Sequence, residues 1–353
     1  MVARRTIATP RLFHIAAHAI EELHSCLNEH FDTRRVLLVT GKDRSLAFAD
    51  VAREALRARD IDVDLERSIE GSIAEATAVG RRVRADSATT VVAIGGGRPI
   101  DVAKLAAAEH GVDLVVVPSV LSHDGICSPV ASLTDEEGMR RSLPATMPAG
   151  VIVDIELVRS APLTLTRAGI GDLVSNLTAT YDWRVAASSG VEAVDEFAAS
   201  LAELSARSIV DVEWPPGPDD LTALARGLVL SGLAMEVAGS SRPCSGAEHL
   251  ISHALDELQP ANGRTHGEQV ALGTMIVAHL HEHPMTGHLV ELFKRIGCLD
   301  RFTELGIDRQ LAMRAIQRAP GTRPDRLTIL DQVDLSDGAV GELVERSVGQ
   351  WLP

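Results

Sequence analysis

The first half of the chain alternates short apolar, β-branched runs with segments of helical spacing. The runs end at glycines or polar residues and lie at 34–40, 61–66, 89–94, 114–117 and 151–154. Between them, 43–59 and 72–87 repeat Ala, Leu and Val three and four residues apart, as amphipathic helices do. Continuous Val and Ile runs separated by helices predict a parallel sheet covered on both faces.

A hairpin is predicted beside this sheet. Segments 131–134 and 139–143 have strand character and flank the turn sequence Asp-Glu-Glu-Gly. The glycine, Gly138, supplies the backbone freedom that a tight turn needs.

Strand signals end after Pro162, and helical spacing continues to about residue 296. Helices are predicted at 165–187, 192–212, 220–238, 245–258, 268–281 and 287–296. The pattern therefore predicts an α/β N-terminal domain with a Rossmann-like parallel sheet, residues 1–160, and an all-α C-terminal domain, residues 161–353. We expect ligands at the cleft between them, near the carboxyl ends of the strands.

Composition excludes several function classes. The chain has 353 residues, a formal net charge of −15 and 3% aromatic residues, which oppose phosphate-backbone contact and base stacking. It has no apolar run of roughly 18 residues, and its N-terminal segment lacks a signal-peptide core. Its four scattered cysteines form neither a disulfide framework nor a zinc ribbon, and we expect buried thiols. These features predict a cytoplasmic enzyme with no nucleic-acid or membrane partner.

A glycine run gives the first chemical signal. Gly95, Gly96 and Gly97 follow a predicted strand, and Arg98 and Pro99 open a predicted helix. Glycines permit close backbone approach, and the N–H groups of a helix N-terminus favour a pyrophosphate. The alternative is a tight strand-to-helix turn without a ligand.

A second signal follows the next strand. Ser119 and Ser122 offer hydroxyls to a nucleotide, while His123 and Asp124 offer groups that bind a polyol hydroxyl. The alternative is a local turn around Asp124-Gly125 in which these groups cap backbone N–H groups.

The helical half contains a candidate metal site. His249 and His253 are four residues apart and share one helix face, and Asp172 and His266 add a carboxylate and a third imidazole. A mixed nitrogen and oxygen donor set suits Zn²⁺ or Fe²⁺. By spacing alone His253 is a fourth candidate ligand, and the alternative is that the histidines are structural.

Six segments together resemble one family. They are GGGRPIDVAK, PSVLSHDGICSP, GIGDLVSNLTATYDW, SSRPCSGAEHLISHALD, THGEQVALGT and RPDRLTIL. Their order and spacing resemble the sn-glycerol-1-phosphate dehydrogenases, within the superfamily of iron-containing alcohol dehydrogenases and dehydroquinate synthases. The resemblance covers roughly residues 30–335 and implies a dehydroquinate synthase-like fold.

The resemblance implies an oxidoreductase of phospholipid metabolism that reduces dihydroxyacetone phosphate to sn-glycerol 1-phosphate with NAD(P)H. It implies one bound Zn²⁺, with Fe²⁺ or Ni²⁺ as alternatives, and a homo-oligomer. Residues 1–160 would bind NAD(P), and 161–353 the metal and substrate. The implied cofactor contacts are Gly95, Gly96, Gly97, Arg98, Pro99, Ser119, Ser122 and Ser128.

The resemblance also implies roles around the metal. Asp172, His249 and His266 would ligate the ion, and Asp124, Asp172 and His253 would contact the substrate. Asp172 and His253 would be catalytic. On this reading His253 faces the substrate instead of the ion.

Two departures from the family pattern bear on the substrate. Ser119 stands where the family usually has Thr, and Thr146 stands about where many members carry Lys. If that lysine holds a substrate phosphate, the alternative is a divergent reductase of another phosphorylated or phosphonate-type carbonyl. Further alternatives are a sugar-phosphate cyclase (lyase) of the dehydroquinate synthase type and a cofactor-binding protein without turnover.

Overall fold

The structure is a computed structural model that describes residues 6–259 and 264–353. The chain divides into two compact units, Met1–Pro162 and Leu163–Pro353. The first contains a six-stranded parallel sheet with helices, and the regular elements described in the second are all helical. This confirms the predicted fold class.

The first unit carries these elements in chain order: β1 Leu12–Ala16, α1 Leu23–His30, β2 Arg35–Thr40, α2 Arg44–Arg57, β3 Asp62–Arg67, α3 Ile73–Ala85, β4 Thr90–Gly95, α4 Gly97–His110, β5 Asp113–Pro118, β6 Val130–Thr134, β7 Arg140–Pro144, β8 Gly150–Asp154 and α5 Ile155–Arg159. The sheet order is β1-β8-β5-β4-β2-β3. Every residue of β4 and β8 is buried, which explains their continuous apolar runs. The five strands predicted for the sheet are present, and β6 and β7 form the predicted hairpin.

Strand β1, which lies at the edge of the sheet, was not predicted from the sequence. It pairs in parallel with β8, from Leu12 opposite Gly150 to Ala16 opposite Asp154. All five of its residues are exposed or only partly buried. An edge strand with one neighbour needs no continuous apolar run, so its sequence carries a weak signal.

The second unit carries α6 Leu163–Val174, α7 Asn176–Ser188, α8 Glu196–Arg207, α9 Pro218–Ala238, α10 Ala247–Leu258, α11 His266–Leu280, α12 Thr286–Arg295, α13 Arg301–Glu304, α14 Arg309–Arg318 and α15 Asp337–Ser347. The single helix predicted at 165–187 is wrong, because α6 and α7 are separate. The Ser175 hydroxyl donates to the Asp172 carbonyl (2.6 Å), a local bond that competes with the helical ladder. The helix predicted at 192–212 is shorter, since Asp195 caps its start by accepting from the N–H groups of Phe197 and Ala198.

Helix α9 is the one described helix long and apolar enough to cross a membrane by length and composition. In its most apolar window, 61% of the residues are buried inside the protein. Its buried side chains include Leu224 and Leu228, and it packs along α8. These features are those of a core helix.

The cysteines are free thiols. Cys127, Cys244 and Cys298 are buried, and Cys26 is half-buried. Burial raises the pKa of Cys127 and of Cys298 to about 12, so neither ionises near neutral pH. The expected burial of the thiols is confirmed for three of the four.

Candidate active site

Three side chains predicted as metal ligands lie together in the helical unit. Ligand atoms of Asp172, His249 and His266 all lie within 4.8 Å of one another. Asp172 Oδ1 is 3.6 Å from Nε2 of His249 and 3.6 Å from Nε2 of His266. They come from the last turn of α6, the first turn of α10 and the first residue of α11. Two imidazole nitrogens and one carboxylate oxygen thus converge, a donor set suited to Zn²⁺ or Fe²⁺.

Glycines let these three helices approach closely enough to bring the ligands together. A Cβ on Gly171, beside the aspartate, would lie 2.4 Å from the Gly267 carbonyl oxygen. A Cβ on Gly267 would lie 1.9 Å from the Ala168 carbonyl oxygen. On the other side of α11, a Cβ on Gly273 would lie 2.5 Å from the Glu248 carbonyl oxygen. Backbone contact at these points is possible only without side chains.

Each candidate histidine ligand is held through its second ring nitrogen. Nδ1 of His249 is 2.9 Å from Glu248 Oε1, and Nδ1 of His266 is 3.3 Å from Ser252 Oγ. The Ser252 hydroxyl donates to Gln269 Oε1 (2.9 Å), so it accepts from His266. Nδ1 is therefore the supported nitrogen in both rings and Nε2 faces the site, where a metal would displace any proton that Nε2 carries; such support is usual for histidine ligands.

Glu248, which no sequence motif singled out, is fully buried beside His249. Its carboxylate also accepts from the Gly246 N–H (2.5 Å) and the Thr178 hydroxyl (2.9 Å). Burial opposes its ionisation, but the bonds from His249 and Gly246 outweigh this and hold the pKa of Glu248 below its usual value. Burial lowers the pKa of His249, but Asp172 and Glu248 outweigh it and raise that pKa to about 9. The two carboxylates therefore favour positive charge at this position.

His253 lies one turn beyond His249 on α10 and outside the three-residue group. Its ring centroid is 6.4 Å from that of His266, whereas the rings of His249 and His266 are 5.1 Å apart. Among the described residues, the metal-ligand geometry therefore groups three of the four candidates.

In the first unit, the glycine run and the loop after β5 are neighbours. The Ser119 N–H donates to the Gly95 carbonyl (2.9 Å). A Cβ on Gly97 would lie 2.5 Å from His123 Nε2, and a Cβ on Gly125 would lie 2.3 Å from the same ring. The Gly125 N–H donates to His123 Nδ1 (2.9 Å). Gly97 thus leaves space that His123 occupies at the start of α4.

The other predicted cofactor and substrate residues surround this loop. Arg98 is exposed and donates to the Ile69 carbonyl (3.4 Å), whereas Pro99 is buried in the first turn of α4. Ser122 is half-buried, and Asp124 begins the short 3₁₀ turn Asp124–Ile126.

Ser128 bonds a buried lysine that sequence analysis did not single out as functional. Lys104 is fully buried, and its Nζ donates to Asp101 Oδ1 (3.3 Å), Ser128 Oγ (3.1 Å) and the Val130 carbonyl (2.8 Å). Lys104 therefore ties α4 to the segment that follows the serine-rich loop. The sequence feature that could have indicated Lys104 is its place in the helix that follows the glycine run, in the segment GGGRPIDVAK.

Comparison with known proteins adds independent evidence. A sequence model described as iron-containing alcohol dehydrogenase matches residues 14–162. A glycerol-1-phosphate dehydrogenase (NAD(P)+) from Cenarchaeum symbiosum is 35% identical over 333 residues, which are 94% of this chain and 93% of the relative. One of the same name from Hyperthermus butylicus is 42% identical over 72% of this chain and 73% of the relative.

Solved structures show the fold. A probable glycerol dehydrogenase from Sinorhizobium meliloti 1021 superposes with a TM-score of 0.76 at 23% identity, over 99% of each chain. At that identity the likeness bears on the fold alone. The family is shown by the relatives that are 35% identical over 94% of this chain and 42% identical over 72% of it. The chain therefore belongs to the glycerol-1-phosphate dehydrogenase family.

Proposed function

We propose that this protein is a metal-dependent oxidoreductase that reduces dihydroxyacetone phosphate to sn-glycerol 1-phosphate with NAD(P)H. The observation that carries the proposal is the convergence of Asp172, His249 and His266 in a chain whose relatives bear the name of this activity. That donor set suits a catalytic cation, because three protein ligands leave further coordination positions for the substrate.

The residues fit a divalent cation. Asp172, His249 and His266 would hold it, with Glu248 and Ser252 fixing both imidazole tautomers. Bound there, the cation supplies Lewis-acid polarisation of the substrate carbonyl. We propose Zn²⁺, and the same donor set accepts Fe²⁺ or Ni²⁺.

We propose that His253 contacts the substrate. It lies one turn beyond His249 on the same helix and outside the three-ligand group, with its ring centroid 6.4 Å from that of His266. A protonated His253 ring nitrogen would deliver the proton that the new hydroxyl oxygen requires. Asp124, in the first unit, would accept a hydrogen bond from a substrate hydroxyl.

We propose that the first unit binds the nicotinamide cofactor, which supplies the hydride. Helix α4 begins at Gly97 directly after a strand, so its first N–H groups favour a pyrophosphate. Hydroxyls of the neighbouring loop add donors and acceptors. The proposed contacts are Gly95, Gly96, Gly97, Arg98, Pro99, Ser119, Ser122 and Ser128.

A spectrophotometric panel tests the reaction. Dihydroxyacetone phosphate and other phosphorylated carbonyls are each supplied with NADH or NADPH, with and without Zn²⁺, and the product's stereochemistry is determined. Stoichiometric cofactor oxidation with formation of sn-glycerol 1-phosphate supports the proposal. Preference for a different phosphorylated carbonyl would favour the divergent reductase, and turnover without net oxidation of the cofactor would favour the cyclase.

His266→Ala tests the metal role. It is expected to abolish bound metal, measured by elemental analysis, and turnover, while NAD(P)H binding is kept. His288→Ala is the matched control, because His288 is exposed on α12. Full activity in metal-free His266→Ala protein would refute the metal role.

A further inference from the structure

Two arginine-bearing segments of the helical unit meet in the structure, although they are far apart in sequence. Arg326 donates to Ser241 Oγ (3.0 Å) and to the Ser245 carbonyl (2.5 Å). Arg323 Nη1 also contacts Ser241 Oγ (3.5 Å). From the other segment, Arg242 donates to the Leu327 carbonyl (2.8 Å). We call Arg242, Arg323 and Arg326 the arginine cluster.

The arginine cluster brings three guanidinium groups together in a chain of net charge −15. Arg242 is 4% exposed and pairs with Glu192, and Asp325 is a further carboxylate that acts on Arg326. Burial, together with Arg323 and Arg242, lowers the pKa of Arg326 to about 10. Like charges that are partly withdrawn from water repel each other, and an added anion would relieve this.

The arginine cluster has donors to offer such an anion. Each guanidinium carries five N–H donors in a planar fork that matches phosphate oxygens. Arg323 and Arg326 are only half-buried, so a small ligand can reach them. Arg242 is buried and donates to the Leu327 carbonyl, so it holds in place the segment that carries Arg323 and Arg326.

Hydrogen bonds join the arginine cluster to the start of the helix that carries His249. Ser245, whose carbonyl binds Arg326, directly precedes the N-cap residue of α10. Asp182 accepts from the N–H of Ala247, at the start of α10, and from that of Ile329. His249 is the third residue of α10, and helical side chains lean toward the helix N-terminus. The arginine cluster and the metal-ligand group therefore lie at the same end of α10.

We propose that Arg323 and Arg326, supported by Arg242, bind the phosphate group of the substrate. This rests on the proposed function, in which the carbonyl of the same substrate lies at the metal-ligand group. The arginine cluster then anchors the phosphate and orients the ketone.

The test removes the phosphate from the substrate and the guanidinium from the protein in turn. Arg323→Gln should lower kcat/KM for dihydroxyacetone phosphate about tenfold to a hundredfold, chiefly through KM. Its kcat/KM for unphosphorylated dihydroxyacetone should match that of the wild type. Arg326→Gln should act in the same direction, and Arg323→Lys should restore part of the loss by keeping the charge. Arg346→Gln, exposed on α15, is the charge-matched control and should change neither value.

A binding measurement separates this inference from the proposed function. Inorganic phosphate is titrated calorimetrically into metal-loaded wild type, Arg323→Gln and Arg346→Gln. Weaker phosphate binding in Arg323→Gln alone supports the subsite, even if the wild type reduces no dihydroxyacetone phosphate and the proposed function fails. Equal phosphate binding in all three proteins, or equal loss of activity on both ketones, would overturn the subsite and assign the arginines a structural role.

Discussion

Replacing Glu248 with Gln tests whether a buried negative charge behind His249 tightens metal binding. The carboxylate accepts from His249 Nδ1 (2.9 Å), the Gly246 N–H (2.5 Å) and the Thr178 hydroxyl (2.9 Å). A glutamine can direct its carbonyl at His249 and Gly246 and its amide at Thr178. The Thr178 hydroxyl can then accept, because it also has the Ser175 carbonyl as a target for its proton (2.9 Å). The shape is preserved and the charge is lost.

The size of the effect follows from those contacts. A hydrogen bond to a charged group contributes about 1.5–3 kcal/mol and one between neutral groups about 0.5–1.5 kcal/mol. The difference, about 1–1.5 kcal/mol, is close to tenfold in affinity for one bond. Loss of outer support for a histidine ligand typically weakens metal binding about 10- to 100-fold. We therefore expect the metal dissociation constant of Glu248→Gln to rise by about 10- to 100-fold.

The assay is competition with a chelator of known affinity, with thermal unfolding of the metal-free proteins measured in parallel. Glu257→Gln is the matched control, because Glu257 lies on the same helix but pairs with Arg318 (2.8 Å) at the surface. It removes the same charge without touching His249 and should leave metal affinity unchanged. Metal binding by Glu248→Gln as tight as that of the wild type would refute the reasoning. A fall of the same size in the control would assign the effect to general electrostatics.

Three further predictions concern packing and burial. Gly267→Ala should lower the free energy of unfolding by about 1–3 kcal/mol, measured by chemical denaturation, and should weaken metal binding, because the added Cβ would meet the Ala168 carbonyl. Gly287→Ala is the control and should do neither, because the space around Gly287 is open. Lys104→Met should lower the free energy of unfolding by about 3–5 kcal/mol, since it leaves a buried carboxylate without its cation; an unchanged unfolding midpoint would contradict this. In the native protein at most Cys26 should react with a thiol reagent near neutral pH, and all four cysteines should react after denaturation; rapid native reaction of more than one would contradict the burial.

The central strands could be predicted from the sequence because all of their residues share one environment, the buried interior. A central parallel strand is buried on both faces, so β4 and β8 have continuous apolar sequences. The edge strand β1 has one neighbour and no such constraint, and it was missed. The division between α6 and α7 at Ser175 was missed as well, because it leaves the hydrophobic period unchanged.

The candidate metal ligands were identifiable by residue type and motif, whereas their support was not. Glu248 is adjacent to His249 in sequence, and neighbours along a helix do not normally face each other. The contact arises because Glu248, at the start of α10, folds its carboxylate back to accept hydrogen bonds from both the Gly246 N–H and His249 Nδ1. No periodicity signals that arrangement.

By itself, the sequence determined the fold class, the glycine run before α4 and the residue types that converge as Asp172, His249 and His266. Only the tertiary structure decided which groups meet. It brings the ligands together from three helices in backbone contact at glycines, and it brings Arg323 and Arg326 to a serine more than 80 positions away in sequence. The physical reason is that hydrophobic period reports the local environment of each residue. The partners of a buried charge or ring nitrogen are set by packing between distant segments, which that period does not record.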